Sequence, residues 1–197
     1  MEITFIVTLI ASYLIGAIPC GVVLTKLTGA GDVRNSGSGN IGATNVYRTA
    51  GRKLGVLTLV GDIIKGVIPV AYAVAFANFS IEQTAMIACA TFLGHLYPVY
   101  LGFKGGKGVA TALGIYLVLS PLSVLFTAVL FIGLVLIWRY VSLGSVIAAA
   151  AVPPLVYFLE GSLPLLFASL FISIMVVWRH RENIGRLLSG TENKFKV

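Results

Sequence analysis

Seven stretches of this chain are apolar over lengths that approach the thickness of a lipid bilayer: residues 3–27, 54–77, 84–101, 109–119, 122–138, 143–159 and 163–178. A hydrocarbon core of about 30 Å takes about 20 helical residues. No water is present there to satisfy backbone N–H and C=O groups, so each run must close its hydrogen bonds within itself, as an α-helix. The expectation is an all-α integral membrane protein, a seven-transmembrane-helix bundle. The fourth run is too short to cross without residues from its flanks, and only Ser120-Pro121 separates it from the fifth. Five or six spans follow if that pair is re-entrant. No internal repeat, low-complexity run or Pro/Gly linker divides the chain, so residues 1–197 read as a single polytopic membrane domain.

Composition agrees. Hydrophobic residues make up 58% of the chain and charged ones 11%, and the mean hydropathy is +0.98. A soluble domain needs more charge than this to solvate its surface. The placement of the charge is more telling than its net value of +7. With seven spans, every one of the 14 basic residues except Lys65 falls on one side of the membrane, whereas the other side carries Glu2, Glu82 and Glu160 and no Lys or Arg. The positive-inside rule then puts the amino terminus outside and the carboxyl terminus in the cytoplasm. The opening Met-Glu-Ile-Thr-Phe lacks a basic region and a cleavage site, and reads as a retained first span. Cys20 and Cys89 lie in apolar segments, with no disulfide framework or metal spacing. Asp62 and Lys65, three residues apart in the second span, share a helix face and can pair.

Three polar stretches fall on the basic side. The first, Asn35 to Arg48, holds three glycines, three asparagines, two serines, a threonine and an arginine. Glycine lets backbone N–H groups approach a ligand closely. Ser38, Asn40, Thr44 and Asn45 add short donors, and Arg48 adds a planar fork for phosphate or carboxylate. Gly37-Ser-Gly-Asn-Ile-Gly42 satisfies the G-x-G-x-x-G dinucleotide pattern, but it follows a membrane-length run rather than a strand, so that reading is rejected. In the second stretch, Gly102 to Thr111, Lys104 and Lys107 alternate with Gly105, Gly106 and Gly108 directly before a helix, whose amino terminus offers N–H groups and a positive dipole end to an anion. It lacks the first Gly and the Ser/Thr of a Walker A loop, so ATP is not implied. The third is the tail from His180, where a helix would bring His180, Asn183 and Arg186 near one face, with a histidine suited to proton exchange. Ser142 or Ser145 adds a hydroxyl on the same side of the membrane, and His95 reads as structural. So many donors suit two phosphate groups, or one phosphate and a developing oxyanion.

Ser38-Gly-Asn-Ile-Gly-Ala-Thr-Asn-Val-Tyr-Arg48, Gly102-Phe-Lys-Gly-Gly-Lys-Gly-Val-Ala-Thr111 and His180-Arg-Glu-Asn-Ile-Gly-Arg through Gly190-Thr-Glu192 together resemble the three motifs of the bacterial acyl-phosphate:glycerol-3-phosphate acyltransferases (PlsY), in the same order and over nearly the whole chain. The resemblance implies transfer of a fatty acyl group from acyl phosphate to the 1-hydroxyl of sn-glycerol 3-phosphate, giving lysophosphatidic acid and phosphate. It also implies a site on the cytoplasmic face of the bacterial inner membrane. By position, Ser38 and Arg48 would be essential, Gly105, Gly106 and Gly108 would shape the glycerol-phosphate site, and His180 and Asn183 would serve the reaction. Glu192 would be structural. No metal, other cofactor, nucleic acid or obligatory protein partner is expected. Either His180 or a substrate phosphate oxygen would take the proton. The alternative from another class is a small transporter of organic phosphates, for which polar groups near the midplane and two related halves are expected; neither is visible.

Overall fold

The computed structural model describes residues 2–195; Met1, Lys196 and Val197, including the Lys196 charge of the tail, lie outside the described residues. Ten α-helices occur among them: α1 Glu2–Gly16, α2 Cys20–Leu27, α3 Ala43–Ala50, α4 Arg52–Ala75, α5 Ile81–Leu96, α6 Val109–Leu119, α7 Pro121–Trp138, α8 Val141–Glu160, α9 Leu163–Arg179 and α10 Arg181–Leu188. Short 3-10 turns lie at Val33–Asn35 and Val99–Leu101. The protein is all-α.

Four segments are long and apolar enough to cross a membrane: α4, α5 with its following turn, α7 and α8. The pairs α1/α2 and α9/α10 raise this to six if each is one broken span, with bends of 48° and 56°. The sequence reads 3–27 as one unbroken run. The structure breaks it at Pro19, whose ring cannot continue the first helix. Helix α6 is apolar but has only 11 residues, about 16 Å at 1.5 Å per residue, so it covers about half of the hydrocarbon thickness. Much of the surface is apolar: α7 leaves Leu125, Phe126, Val129, Ile132 and Leu136 exposed, as suits a helix that faces lipid.

The chain divides into two compact units, with the boundary in sequence between Val118 and Leu119. In the first, α1 crosses α5 and α4 lies against α2, α3 and α5. Glycine permits the closest of these approaches. A Cβ on Gly16 would overlap the carbonyl of Thr91, and one on Gly94 would overlap that of Tyr13, so α1 and α5 touch backbone to backbone. Gly66 and Gly114 do the same for α4 and α6, against Thr111 and Ile63. The Tyr13 hydroxyl donates to the carbonyl of Tyr97 at 2.7 Å, just past the end of α5.

In the second unit α8 packs between α7 and α9. Two prolines stand inside α8 without ending it. Pro153 has no N–H for the carbonyl of Ala149 four residues earlier, and the hydroxyl of Ser173 on α9 donates to that carbonyl at 2.7 Å instead.

Gly94→Ala should force α1 and α5 apart and lower stability by about 1–3 kcal/mol, read as an earlier thermal transition of the detergent-solubilised protein. An unchanged transition would show that the crossing can relax.

Candidate active site

The second half of the first polar stretch is helical and forms most of α3. Val46 of α3 is fully buried with Val22, Val33 and Ile41, and Leu101 packs against them. This small core seats α3 on the bundle and brings the start of the second polar stretch beside the first. The fit to neighbouring helices is close, since a Cβ on Gly21 would overlap the Ile41 carbonyl and one on Gly55 would press on Tyr47.

Asn45 holds the remainder of the stretch in place. Only 3% exposed, it offers its two amide hydrogens to three carbonyls, Val33 at 3.1 Å, Ser36 at 3.0 Å and Asn40 at 2.9 Å. Its Oδ1 accepts from the N–H of Ser38 at 2.9 Å. The sequence reading assigns Asn45 to substrate, yet its polar atoms brace residues 33–40 around the Ser38 peptide. Gly37 (φ +61°) and Gly39 (φ +67°) turn the chain there, and a Cβ on Gly37 would meet the Asn45 amide. Asn40 Oδ1 accepts from Gly42 N at 2.9 Å, and Gly42 precedes α3 without a side-chain cap. The first N–H groups of α3 are thus left for an outside acceptor. Near this helix start Ser38 is exposed and Asn40 and Thr44 are half-buried, whereas Arg48 is exposed in the last turn of α3. Arg34 does not join them. It donates to Asp32 through both Nε and Nη2, at 2.9 and 2.5 Å, and these bonds hold the Asp32 carboxyl well below the usual carboxylate range.

The glycines of the second stretch bond to and pack against α5. Gly105 N donates to the carbonyl of Leu96 and Gly106 N to that of His95, each at 3.1 Å. These N–H groups close the carboxyl end of α5 and are spent before any ligand arrives. A Cβ on Gly105 would overlap the same carbonyls, one on Gly106 the His95 ring, and one on Gly108 (φ +86°) the ring of Phe92. Gly108 also accepts from Ala112 N at 2.8 Å, so it stands at the mouth of α6. Lys104 is exposed and Lys107 half-buried.

In the second unit the tail is organised by Glu192, whose side chain is 5% exposed. Oε1 accepts from Ser142 at 2.8 Å and from Asn183 at 2.6 Å, while Oε2 accepts from Arg186 Nε at 2.7 Å. Burial opposes ionisation of this carboxyl, but the three hydrogen bonds outweigh it and lower its pKa. Asn183 and Arg186 do share a face of α10. Ser142 is bound to Glu192, and Ser145 spends its hydroxyl on the carbonyl of Val141 at 2.8 Å. Phe195 N donates to Arg139 O at 2.6 Å, strapping the tail to the α7–α8 corner. His180 sits at the bend between α9 and α10, 3% exposed. Its Nδ1 lies 2.8 Å from the carbonyl of Val176. A carbonyl only accepts, so Nδ1 carries the hydrogen and Nε2 is the remaining ring nitrogen.

Sequence spacing carried no sign of the Ser142–Glu192 bond across 50 residues, nor of the fourfold use of the Asn45 amide. Among the described residues no group of three His, Cys, Asp or Glu side chains is placed to hold a metal.

Two outcomes follow from these braces. Asn45→Ala should leave buried carbonyls unsatisfied and cost about 1–3 kcal/mol, with residues 36–40 gaining faster amide exchange; unchanged protection would show that Asn45 does not hold them. Because the Glu192 pKa is lowered on folding, its contribution is fully present above its ordinary value of 4.5 and is lost as pH falls through the lower folded value. Limited proteolysis of the tail should therefore accelerate on acidification below that ordinary value, and Glu192→Gln should remove the pH dependence.

The fold and these motifs have counterparts among known proteins. Residues 6–190 match the family model described as glycerol-3-phosphate acyltransferase. A glycerol-3-phosphate acyltransferase of Syntrophotalea carbinolica is 63% identical over 194 residues, covering 98% of this chain and 99% of the relative. Two crystal structures are also similar, each of PlsY (YgiH), an integral membrane glycerol 3-phosphate acyltransferase. The glycerol 3-phosphate form has a TM-score of 0.93 at 44% identity, and the lysophosphatidic acid form 0.90 at 42%; each comparison covers 98% of this chain and 96% of the other. An all-α fold shared with an integral membrane acyltransferase and likeness across almost the full length place this chain in the glycerol-3-phosphate acyltransferase family.

Proposed function

We propose that this protein moves a fatty acyl group from acyl phosphate to the 1-hydroxyl of sn-glycerol 3-phosphate at the cytoplasmic face of the bacterial inner membrane. The observation that carries the reading is the likeness to a PlsY with one form holding glycerol 3-phosphate and another holding lysophosphatidic acid. The first is the acyl acceptor of this reaction and the second its acylated product. The donor class rests on the three motifs that resemble the acyl-phosphate-dependent enzymes.

A single membrane domain of seven spans suits this function. The four long segments and two broken pairs account for up to six spans, and this reading counts α6 with its flanks as the seventh. That arrangement puts the amino terminus outside and the carboxyl terminus in the cytoplasm, with the basic residues other than Lys65 on the cytoplasmic side.

The chemistry is a direct displacement. The 1-hydroxyl oxygen attacks the acyl carbon, an ester C–O bond forms, and the anhydride C–O bond to phosphate breaks with its electron pair leaving on phosphate. An acyl phosphate carries a good leaving group, so the enzyme's main task is to orient two anionic substrates and offset their repulsion. Arg48, Lys104 and Lys107 supply the positive charge. Asn40, Thr44 and the first N–H groups of α3 receive a phosphate, and Ser38 and Asn183 donate to phosphate or to the oxyanion. Gly105, Gly106 and Gly108 give the site its shape rather than their N–H groups. Asn45, Ser142 and Glu192 act as positioning residues. Two acceptors are chemically competent for the hydroxyl proton, Nε2 of His180 and a substrate phosphate oxygen. No cofactor or obligatory protein partner enters the scheme.

The reading is tested by phosphate release from purified protein given palmitoyl phosphate and glycerol 3-phosphate, with palmitoyl-CoA as the parallel donor. Release that needs glycerol 3-phosphate and gives lysophosphatidic acid only from the acyl phosphate is expected; silence with both donors from folded protein would sink it. Ser38→Ala should abolish most turnover while inserting normally. A positioned base contributes about 10²- to 10⁴-fold, so a loss of that size in His180→Ala assigns the proton to Nε2. A fall below about tenfold leaves it to the substrate phosphate.

A further inference from the structure

Beneath the second motif lies a buried cluster that no step above uses. Asp62, Lys65 and His95 are 2%, 4% and 3% exposed. Lys65 Nζ stands 2.8 Å from Asp62 Oδ1 and donates to the carbonyl of Ile18 at 2.7 Å. His95 Nδ1 is 3.8 Å from the same Asp62 oxygen. A buried ion pair is a poor source of stability, because neutral groups of similar size often replace both charges at no loss. What this pair does bring is connection in two directions.

One direction runs to the first motif. Ile18 lies in the break between α1 and α2, so the Lys65 bond fixes where α2 departs. Gly21 on α2 then presses on the Ile41 carbonyl so closely that a Cβ would overlap it, and Ile41 directly precedes Gly42, the residue before α3. The other direction runs to the second motif. The His95 ring fills the space that a Gly106 Cβ would need, and Gly106 N donates to the His95 carbonyl at 3.1 Å. Asp62 faces the groups leading both ways, through Lys65 on its own helix and through His95 on α5.

We propose that Asp62, Lys65 and His95 form a positioning cluster that sets the first and second motifs at the separation needed by one bound glycerol 3-phosphate. This deepens the acyltransferase reading and rests on it for its kinetic consequence. The cluster touches no substrate. Its loss should weaken acceptor binding by letting the Ser38–Gly42 and Lys104–Gly108 segments drift relative to one another.

Asp62→Asn/Lys65→Met removes both charges and so avoids leaving one unpaired in the bundle. The expected result is a thermal transition near that of the wild type, a KM for glycerol 3-phosphate raised about tenfold, and a kcat within about threefold, the pattern of lost binding rather than lost chemistry. Amide exchange should quicken in residues 38–42 and 104–108 together. A purely structural pair predicts the opposite, with KM and loop exchange unchanged once the double variant folds, and that result would overturn the proposal. His95→Gln is the second variant. It should quicken exchange at 104–108 and raise the same KM, and it decides the matter if the double variant does not fold. Wild-type protein without turnover would refute the acyltransferase reading alone, because the exchange measurement still decides whether the cluster holds the loops.

Discussion

A helix that breaks inside an apolar bundle leaves backbone groups that lipid cannot satisfy, and the architecture of this chain depends on where those groups find partners. The Ile18 carbonyl at the Pro19 break is taken by Lys65. The Ala149 carbonyl opened by Pro153 is taken by Ser173. The last carbonyls of α5, on His95 and Leu96, are taken by Gly106 and Gly105, and the Val176 carbonyl near the end of α9 meets both the His180 N–H and the His180 ring. Each unmet group costs several kcal/mol in hydrocarbon. Positions of breakage are therefore positions where a polar residue must stand. Three of these five partners, Gly105, Gly106 and His180, belong to the second and third polar stretches. The chain puts its polar residues where backbone breaks already require them.

This double duty separates donors that look alike in the sequence. Glycine N–H groups are available to an anion only where the fold has not used them. At the start of α3 the first N–H groups have no intrahelical partner, and Gly42 brings no side chain to cap them. At Gly105 and Gly106 the N–H groups are bound to α5, so what remains there is shape: the absence of a side chain lets the turn lie flat on His95 and Pro98. A glycine-rich run therefore has two meanings, and the run alone does not tell them apart.

The same limit governs what was legible beforehand. Apart from 3–27, which runs through two helices, the apolar runs marked the long helices within a few residues, because period and length are local properties, and the three motifs stood out because their composition cannot pack a core. The Asp62–Lys65 pair followed from a three-residue spacing. Partners set by tertiary packing were out of reach. Asn45 looked like any other asparagine of its stretch until Val46, its neighbour on α3, was seen buried against Val22 and Ile41, which turns the amide inward under residues 33–40. The break at Pro19 and the helix at Ala43–Ala50 were missed for a related reason. An apolar run reads as continuous across a proline, and a helix of eight residues owes more to its packing than to its propensity.

Two hubs of unlike chemistry hold the polar segments, and the difference follows from what each must hold. Asn45 serves backbone alone, three carbonyls and one N–H, and a neutral amide has both donors and an acceptor for that set. Glu192 serves three donors on side chains, Ser142, Asn183 and Arg186, one of them a cation. An amide in its place would turn two hydrogens toward donors and leave the Arg186 charge unanswered. A carboxylate accepts from all three at once and lies next to Asn183, so its negative charge also polarises that amide. The amide group of Asn183 is thereby fixed with its nitrogen on Glu192, and its rotation is already settled in the fold.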